Sequence, residues 1–262
     1  METGKTVHVM GCPVHDLTMS ETIAEVEKAV RERRQIHHVV VNAAKLVQMR
    51  DDPVLRESVV SSDLINADGA SVVLLSRLKG TPLKERVAGC DLMQELVDAA
   101  GKKGWKIYFF GAEEEVVRAV VERYSREYGP DIVAGYRNGY YKEEEEAAIA
   151  EAIARSGANL LFVAISSPKK ENFLYKYRQT LKDVNFIMGV GGTFDIVAGK
   201  TKRAPVFLQR IGMEWFFRVL QEPGRMWKRY LVTNTRFLLL AIPEIFRAWR
   251  DRERSGRIAR LG

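Results

Sequence analysis

Two cysteines in 262 residues, Cys12 and Cys90, are too few for a disulfide framework and show no metal-ligand spacing, so a reducing cytosolic setting is expected. No Asp-x-Asp pair follows a strand-like run and no His/Asp cluster offers ligand spacing, so no obligatory metal ion and no cofactor are expected. The G-x-G-x-x-G dinucleotide fingerprint is missing as well. Long apolar runs are absent: the first sixteen residues, METGKTVHVMGCPVHD, lack the apolar core of a leader peptide. The most apolar tail segment, FLLLAI at 237–242, is closed by Arg236 and Pro243 long before the ~20 residues that span a bilayer. These absences predict a protein that is neither secreted nor membrane-spanning.

What remains is a regular alternation. Strand-like runs TVHVM (6–10), HHVVV (37–41), LIN (64–66), KIYFF (106–110), IVA (132–134), LLFVAI (160–165) and NFIMGV (185–190) are separated by amphipathic segments of helical period. Ser20 is read as the N-cap of a helix over 21–33, and Pro53 and Pro168 as helix starters. Strands alternating with helices of this length predict an α/β fold: a Rossmann-like, mostly parallel sheet with helices on both faces. Two strands deliver polar residues at their ends, Asn42 and Asp68, where such sheets collect their chemistry. The glutamate run at 143–146 reads as a helix start, since carboxylates there oppose the helix dipole.

Charge divides the chain. Residues 1–202 hold 28 Lys and Arg against 29 Asp and Glu, net −1, whereas residues 203–262 hold 13 against 5, net +8. A tail so basic expects an anionic partner: a membrane surface, nucleic acid or a phosphorylated substrate. Aromatic residues, among them Trp227, Phe237, Phe246 and Trp249, interleave with its arginines, which predicts amphipathic helices, broken at Pro223 and Pro243, that lie on a membrane face. The expected division is a Rossmann-like domain over 1–203 and a basic amphipathic helical appendage over 204–262. Between them, GVGGTFDIVAGKTKRAP (189–205) breaks a buried strand into glycines and then an acid. Gly191 and Gly192 carry no Cβ and let a phosphate approach the backbone, with Asp195 one turn on; a purely structural turn explains the pair equally well.

These blocks carry a resemblance. The segment NADGASVVLLSRLKGTPLKERVAGCDLM (66–93), SPKKE (167–171), the 189–205 block and EWFFRVLQEPGRMWKRYLV (214–232), in order through nearly the whole chain, resemble the WecG/TagA/CpsF family of bacterial glycosyltransferases. The resemblance implies inverting transfer, by a single displacement, of N-acetylmannosamine or its uronic acid from a UDP-sugar to an undecaprenyl-diphosphate-linked acceptor in cell-surface polysaccharide or teichoic acid synthesis. It implies a peripheral enzyme on the inner face of the cell membrane. It also implies Asp68 as catalytic base, Asn42 beside the sugars, Arg86 on diphosphate charge, and Arg218, Arg225, Lys228 and Arg229 reaching the active site from the appendage. The nucleotide falls to Gly111, Gly191, Gly192 and Asp195. The sequence departs from the family pattern at Val40, where threonine is common, at Lys170, which replaces glutamine, and at the reduced turn Gly111-Ala112-Glu113. A cation at Lys170 suits an acidic sugar or a phosphate, and a surface lysine is the alternative. Another UDP-hexose as donor, a nucleotide-binding oxidoreductase and a basic-tailed nucleic-acid-binding protein stand as competing readings; no nucleic acid is expected on the transferase reading, and the oligomeric state, homo-oligomers included, stays open.

Overall fold

The structure, a computed structural model, describes residues 5–258, without the side chains of Arg210, Arg225, Met226, Arg229 and 253–258. Strands β1 (Thr6–Val9) and β2 (Cys12–His15) form an antiparallel hairpin. Helix α1 (Met19–Arg31) leads to β3 (Ile36–Val41), α2 (Ala43–Asp51), α3 (Pro53–Val60) and β4 (Leu64–Ala67). Helices α4 (Ala70–Leu78) and α5 (Gly89–Lys103) precede β5 (Ile107–Gly111), α6 (Glu114–Tyr128), β6 (Val133–Arg137), α7 (Glu146–Arg155), β7 (Leu160–Ala164), α8 (Lys169–Lys176), β8 (Phe186–Gly189) and α9 (Thr193–Val197). The last segment comprises α10 (Val206–Arg210), α11 (Glu214–Gln221) and α12 (Pro223–Ile258).

Six of the strands form a parallel sheet in the order β4-β3-β8-β7-β5-β6. Because side chains alternate across a strand, β3 sends Ile36 and Val40 to one face and Val39 and Val41 to the other. The first face packs Phe109, Phe162 and Phe186 against α1, α5 and α6. The second is covered in two parts: the hairpin, α2, α3 and α4 over β3 and β4, and α7 and α8 over β5, β7 and β8. The fold class expected from the alternation is the one found.

Three local expectations need correction. The cap of α1 is Thr18, not Ser20: the Thr18 hydroxyl accepts the Glu21 N–H and the Glu21 carboxylate accepts the Thr18 N–H, a reciprocal pair that outcompetes a serine inside the first turn. The hairpin's second strand escaped the sequence reading because Gly11 and Pro13 resemble a loop; Met10 and Gly11 both take positive φ to make the turn. Finally, α12 runs straight through Pro243. Proline costs a helix one hydrogen bond, but tertiary contacts hold this one on both sides. Arg236 pairs with Asp51 at 2.8 Å before the proline; Glu244 pairs with Lys79 at 2.5 Å and the Trp249 indole N–H donates to the Leu78 carbonyl at 2.9 Å after it.

Those contacts also revise the expected membrane face. Phe237 and Ala241 are buried with Leu46, Val47 and Val72, so Phe237 belongs to the protein core and is unavailable to a bilayer. Leu240 and Ile245 pack against the same cluster, whereas Trp227, Leu231, Leu238, Ile242, Phe246 and Trp249 are exposed along α12 at spacings of three, four and seven, a continuous stripe on one side of the helix. Among the described residues no helix is long and apolar enough to cross a membrane.

Candidate active site

The carboxyl edge of the sheet gathers the polar strand ends. Asp68 follows β4 and donates its backbone N–H to the Val41 carbonyl at 3.0 Å, which ties it to the end of β3 beside Asn42. Asn42 caps α2, its Oδ1 accepting the Lys45 N–H at 3.0 Å. Gly69 suits this closeness, since a Cβ there would stand 3.1 Å from the Asn42 Cβ, a tight contact. Gly89, the first residue of α5, brings its backbone N–H close enough to favour the charged form of the Asp68 carboxylate. Burial pushes the Asp68 carboxyl above its ordinary value and Glu214 adds to the rise, while Arg86, the Gly89 N–H and Arg218 oppose it. The outcome is a half-buried carboxylate with a raised proton affinity, fixed at a strand end: the requirement for a general base.

Arginines ring it. Arg86 donates from Nη1 to the Gln209 carbonyl at 3.0 Å and pairs through Nη2 with Glu214 at 2.5 Å, so the segment after residue 203 is docked on the site. Arg203 pairs with Asp91 at 2.5 Å and lies 3.9 Å from the other oxygen of Glu214. Arg218 stands exposed on α11, near enough to act on Asp68. Lys228 is exposed on α12; the side chains of Arg225 and Arg229 fall outside the described residues.

Lys170 is not a surface lysine. It is buried, packed under β8 so closely that a Cβ on Gly189 would collide with its Cε, and its Nζ lies 3.2 Å from Glu171, which Lys45 also holds at 2.7 Å. Burial and the neighbouring Lys45 push the Lys170 ammonium down to about 8, and the two lysines hold the Glu171 carboxyl far below the usual range.

The expected nucleotide residues separate into two groups along the edge. Gly191 takes φ +54 with open space around it, whereas Gly192 has negative φ and a Cβ there would make only an ordinary contact with Asp195 at 3.7 Å. The conformational need for glycine in GVGG therefore rests on Gly191. Gly111 lies two strands away, at φ +125, where a Cβ would run into the Ala164 carbonyl of β7. Gly111→Ala is expected to cost about 3 kcal/mol from backbone strain and the forced shift of β7, read as a lower urea midpoint; an unchanged midpoint would remove the steric account.

Next to Gly111 opens a cleft of about 750 Å³ lined by Ala112, Gly139, Tyr140, Tyr141, Ser166 and Lys169 among others. The connection from β5 runs outward to β6 and that from β7 inward to β8, so this cleft is the point at which the strand order reverses, the usual ligand crevice of an open parallel sheet. The Lys169 ammonium sits 3.6 Å over the Tyr141 ring, and the buried Tyr141 hydroxyl has no hydrogen-bond partner. Sequence reasoning missed this wall because β6 is a half-exposed edge strand whose pattern fades after Ala134. The Asn138-Gly139 turn followed by two tyrosines was the available signal. From this cleft to Asp68 the edge spans β7, β8, β3 and β4, roughly 14 Å at about 4.8 Å per strand. Among the described residues no group of three or more His, Cys, Asp or Glu is disposed to hold a metal ion.

Comparison with known proteins bears on the whole edge. The sequence model described as the glycosyl transferase WecG/TagA/CpsF family matches residues 7–251. A Bacillus spizizenii protein named N-acetylglucosaminyldiphosphoundecaprenol N-acetyl-beta-D-mannosaminyltransferase is 41% identical over 176 residues, 67% of this chain and 67% of that one. A Bacillus subtilis protein of the same name is 40% identical over 171 residues, 65% of each chain. The matches thus span about two thirds of these relatives.

Proposed function

The chain belongs to the WecG/TagA/CpsF family of glycosyl transferases, and from that premise we propose that it moves an N-acetylmannosaminyl unit from a UDP-sugar to N-acetylglucosamine on a lipid diphosphate. The observation that carries the reading is Asp68, tied through its backbone N–H to the Val41 carbonyl beside Asn42 and close to Arg86 and Arg218, on the same sheet edge as the crevice by Gly111. An edge of roughly 14 Å accommodates an extended nucleotide-diphosphate-sugar with its base at the crevice and its sugar near Asn42.

In the proposed reaction the acceptor hydroxyl oxygen attacks the anomeric carbon as its proton passes to the Asp68 carboxylate. The bond from that carbon to the UDP oxygen breaks, and UDP leaves with the electron pair. One displacement inverts the anomeric centre. Cationic side chains and backbone N–H groups meet the charge that develops on the departing diphosphate, the role in which fixed donors contribute most. Lys170, being buried and bound to Glu171, acts from beneath β8 on whatever occupies the sugar position.

The appendage is proposed to rest on an anionic membrane surface on the cytoplasmic side. Its net charge of +7 supplies attraction at about 1 kcal/mol per cation near the surface, and the exposed stripe of α12 supplies apolar insertion that salt does not screen. Calorimetric titration tests the nucleotide part: UDP should bind the full chain and NAD should not. Tight NAD binding without UDP binding would overturn the reading in favour of an oxidoreductase.

A further inference from the structure

Glu214, the first residue of α11, places its two carboxylate oxygens against two different guanidinium groups: Oε2 lies 2.5 Å from Nη2 of Arg86, and Oε1 lies 3.9 Å from Nε of Arg203. Arg203 is under-used in this arrangement. Its Nη1 is taken by Asp91, but its buried Nε and Nη2 make no hydrogen bond. A buried guanidinium with two idle donors is costly, and it is relieved by an anion larger than a carboxylate or closer than this one. Arg86 and Glu214 are meanwhile partly open, with side-chain exposures of 19% and 30%, so another anion can reach the pair and compete with Glu214 for Arg86.

We propose that Glu214 is a stand-in anion, occupying between Arg86 and Arg203 the place of a substrate diphosphate, and that Arg203 joins Arg86 as the clamp once substrate displaces it. The inference rests on the transferase reading, because it needs a substrate that carries a diphosphate. The position suits one: Asp68 feels Arg86, Glu214 and Arg218 together, so the clamp lies in the immediate surroundings of the base. A diphosphate offers both arginines paired oxygens at hydrogen-bond distance, which one carboxylate held 3.9 Å from Arg203 does not. The displaced carboxylate keeps a favourable place, since it sits on the first turn of α11, where the helix dipole favours negative charge. Substrate arrival therefore exchanges one of the two bonds by which Arg86 holds the appendage and leaves the other, to the Gln209 carbonyl, in place.

Full-length protein and two probes test this: UDP, and a water-soluble short-chain N-acetylglucosamine-diphosphate-lipid, each titrated by calorimetry at fixed ionic strength. Glu214→Gln should tighten one probe about three- to fivefold, and Arg203→Gln should weaken the same probe about tenfold. Whichever probe responds identifies the diphosphate, donor or acceptor. In Glu214→Gln the acid limb of the pH-rate profile should also move to lower pH, because Asp68 loses a like charge while Arg86, Arg218 and the Gly89 N–H still face it. If Glu214 merely fastened α11, Glu214→Gln would weaken both probes and Arg203→Gln would change neither, which overturns the proposal. Should Glu214→Gln fail to fold, Arg203→Gln decides alone, unchanged affinity for both probes being the contrary result. A wild-type protein that binds neither probe sinks the transferase reading and the inference with it; wild-type binding with unresponsive variants sinks the inference only.

Discussion

Asp68→Asn should lower turnover by at least ~100-fold while leaving the fold and UDP affinity intact. The substitution keeps an oxygen for the Gly89 N–H and a side chain of the same size, so the position survives and only the basicity is lost. The same reasoning sets a pH expectation for the wild type. Burial raises the Asp68 carboxyl above the ordinary range near 3.9, so turnover should rise through an acid limb above that value as the carboxyl ionises. Turnover near wild type in Asp68→Asn, at any pH, would remove Asp68 from the role of base.

Removal of residues 204–262 should abolish both transfer to a water-soluble acceptor and sedimentation with anionic vesicles. Transfer is lost because Gln209, Glu214 and Arg218 lie against Arg86 and Asp68, so the appendage builds part of the site. Vesicle binding is lost because the remaining chain is almost neutral in net charge and has given up the exposed stripe of α12. The truncated chain should still fold. Two of its three apolar clusters contain no residue beyond Ala198, whereas the third loses Phe237 and Ala241 and with them about 3–5 kcal/mol, visible as a lower melting temperature. Vesicle binding that survives truncation would locate the membrane surface elsewhere, and full activity on the soluble acceptor would reduce the appendage to an anchor.

The pattern of agreement between sequence and structure has physical causes. The central strands were legible because parallel strands buried on both faces read as unbroken apolar runs, as in LLFVAI and NFIMGV. The part of β6 beyond Ala134 and the second strand of the hairpin, by contrast, lack a periodic signal. Asn42 and Asp68 could be picked out because strand ends are readable from one stretch of sequence. The pairing of Arg86 with Glu214 could not, since it joins residues 128 positions apart through the docking of a separate segment. Phe237 shows the limit of composition as a guide. In a stripe of alternating aromatics and arginines, nothing local tells the one ring that packs on α2 and α4 from those that face outward.

The central claim is chemical, and one measurement meets it directly. Full-length protein is incubated with UDP-N-acetylmannosamine and a short-chain N-acetylglucosamine-diphosphate-lipid, with parallel samples containing other UDP-hexoses, and UDP release is followed alongside the mass of the lipid product. The account predicts UDP release that depends on the acceptor, together with a product heavier by one N-acetylhexosaminyl unit, strongest for the N-acetylmannosamine donor. Acceptor-independent hydrolysis of the donor, or no product with any UDP-sugar from protein that is folded, would contradict it.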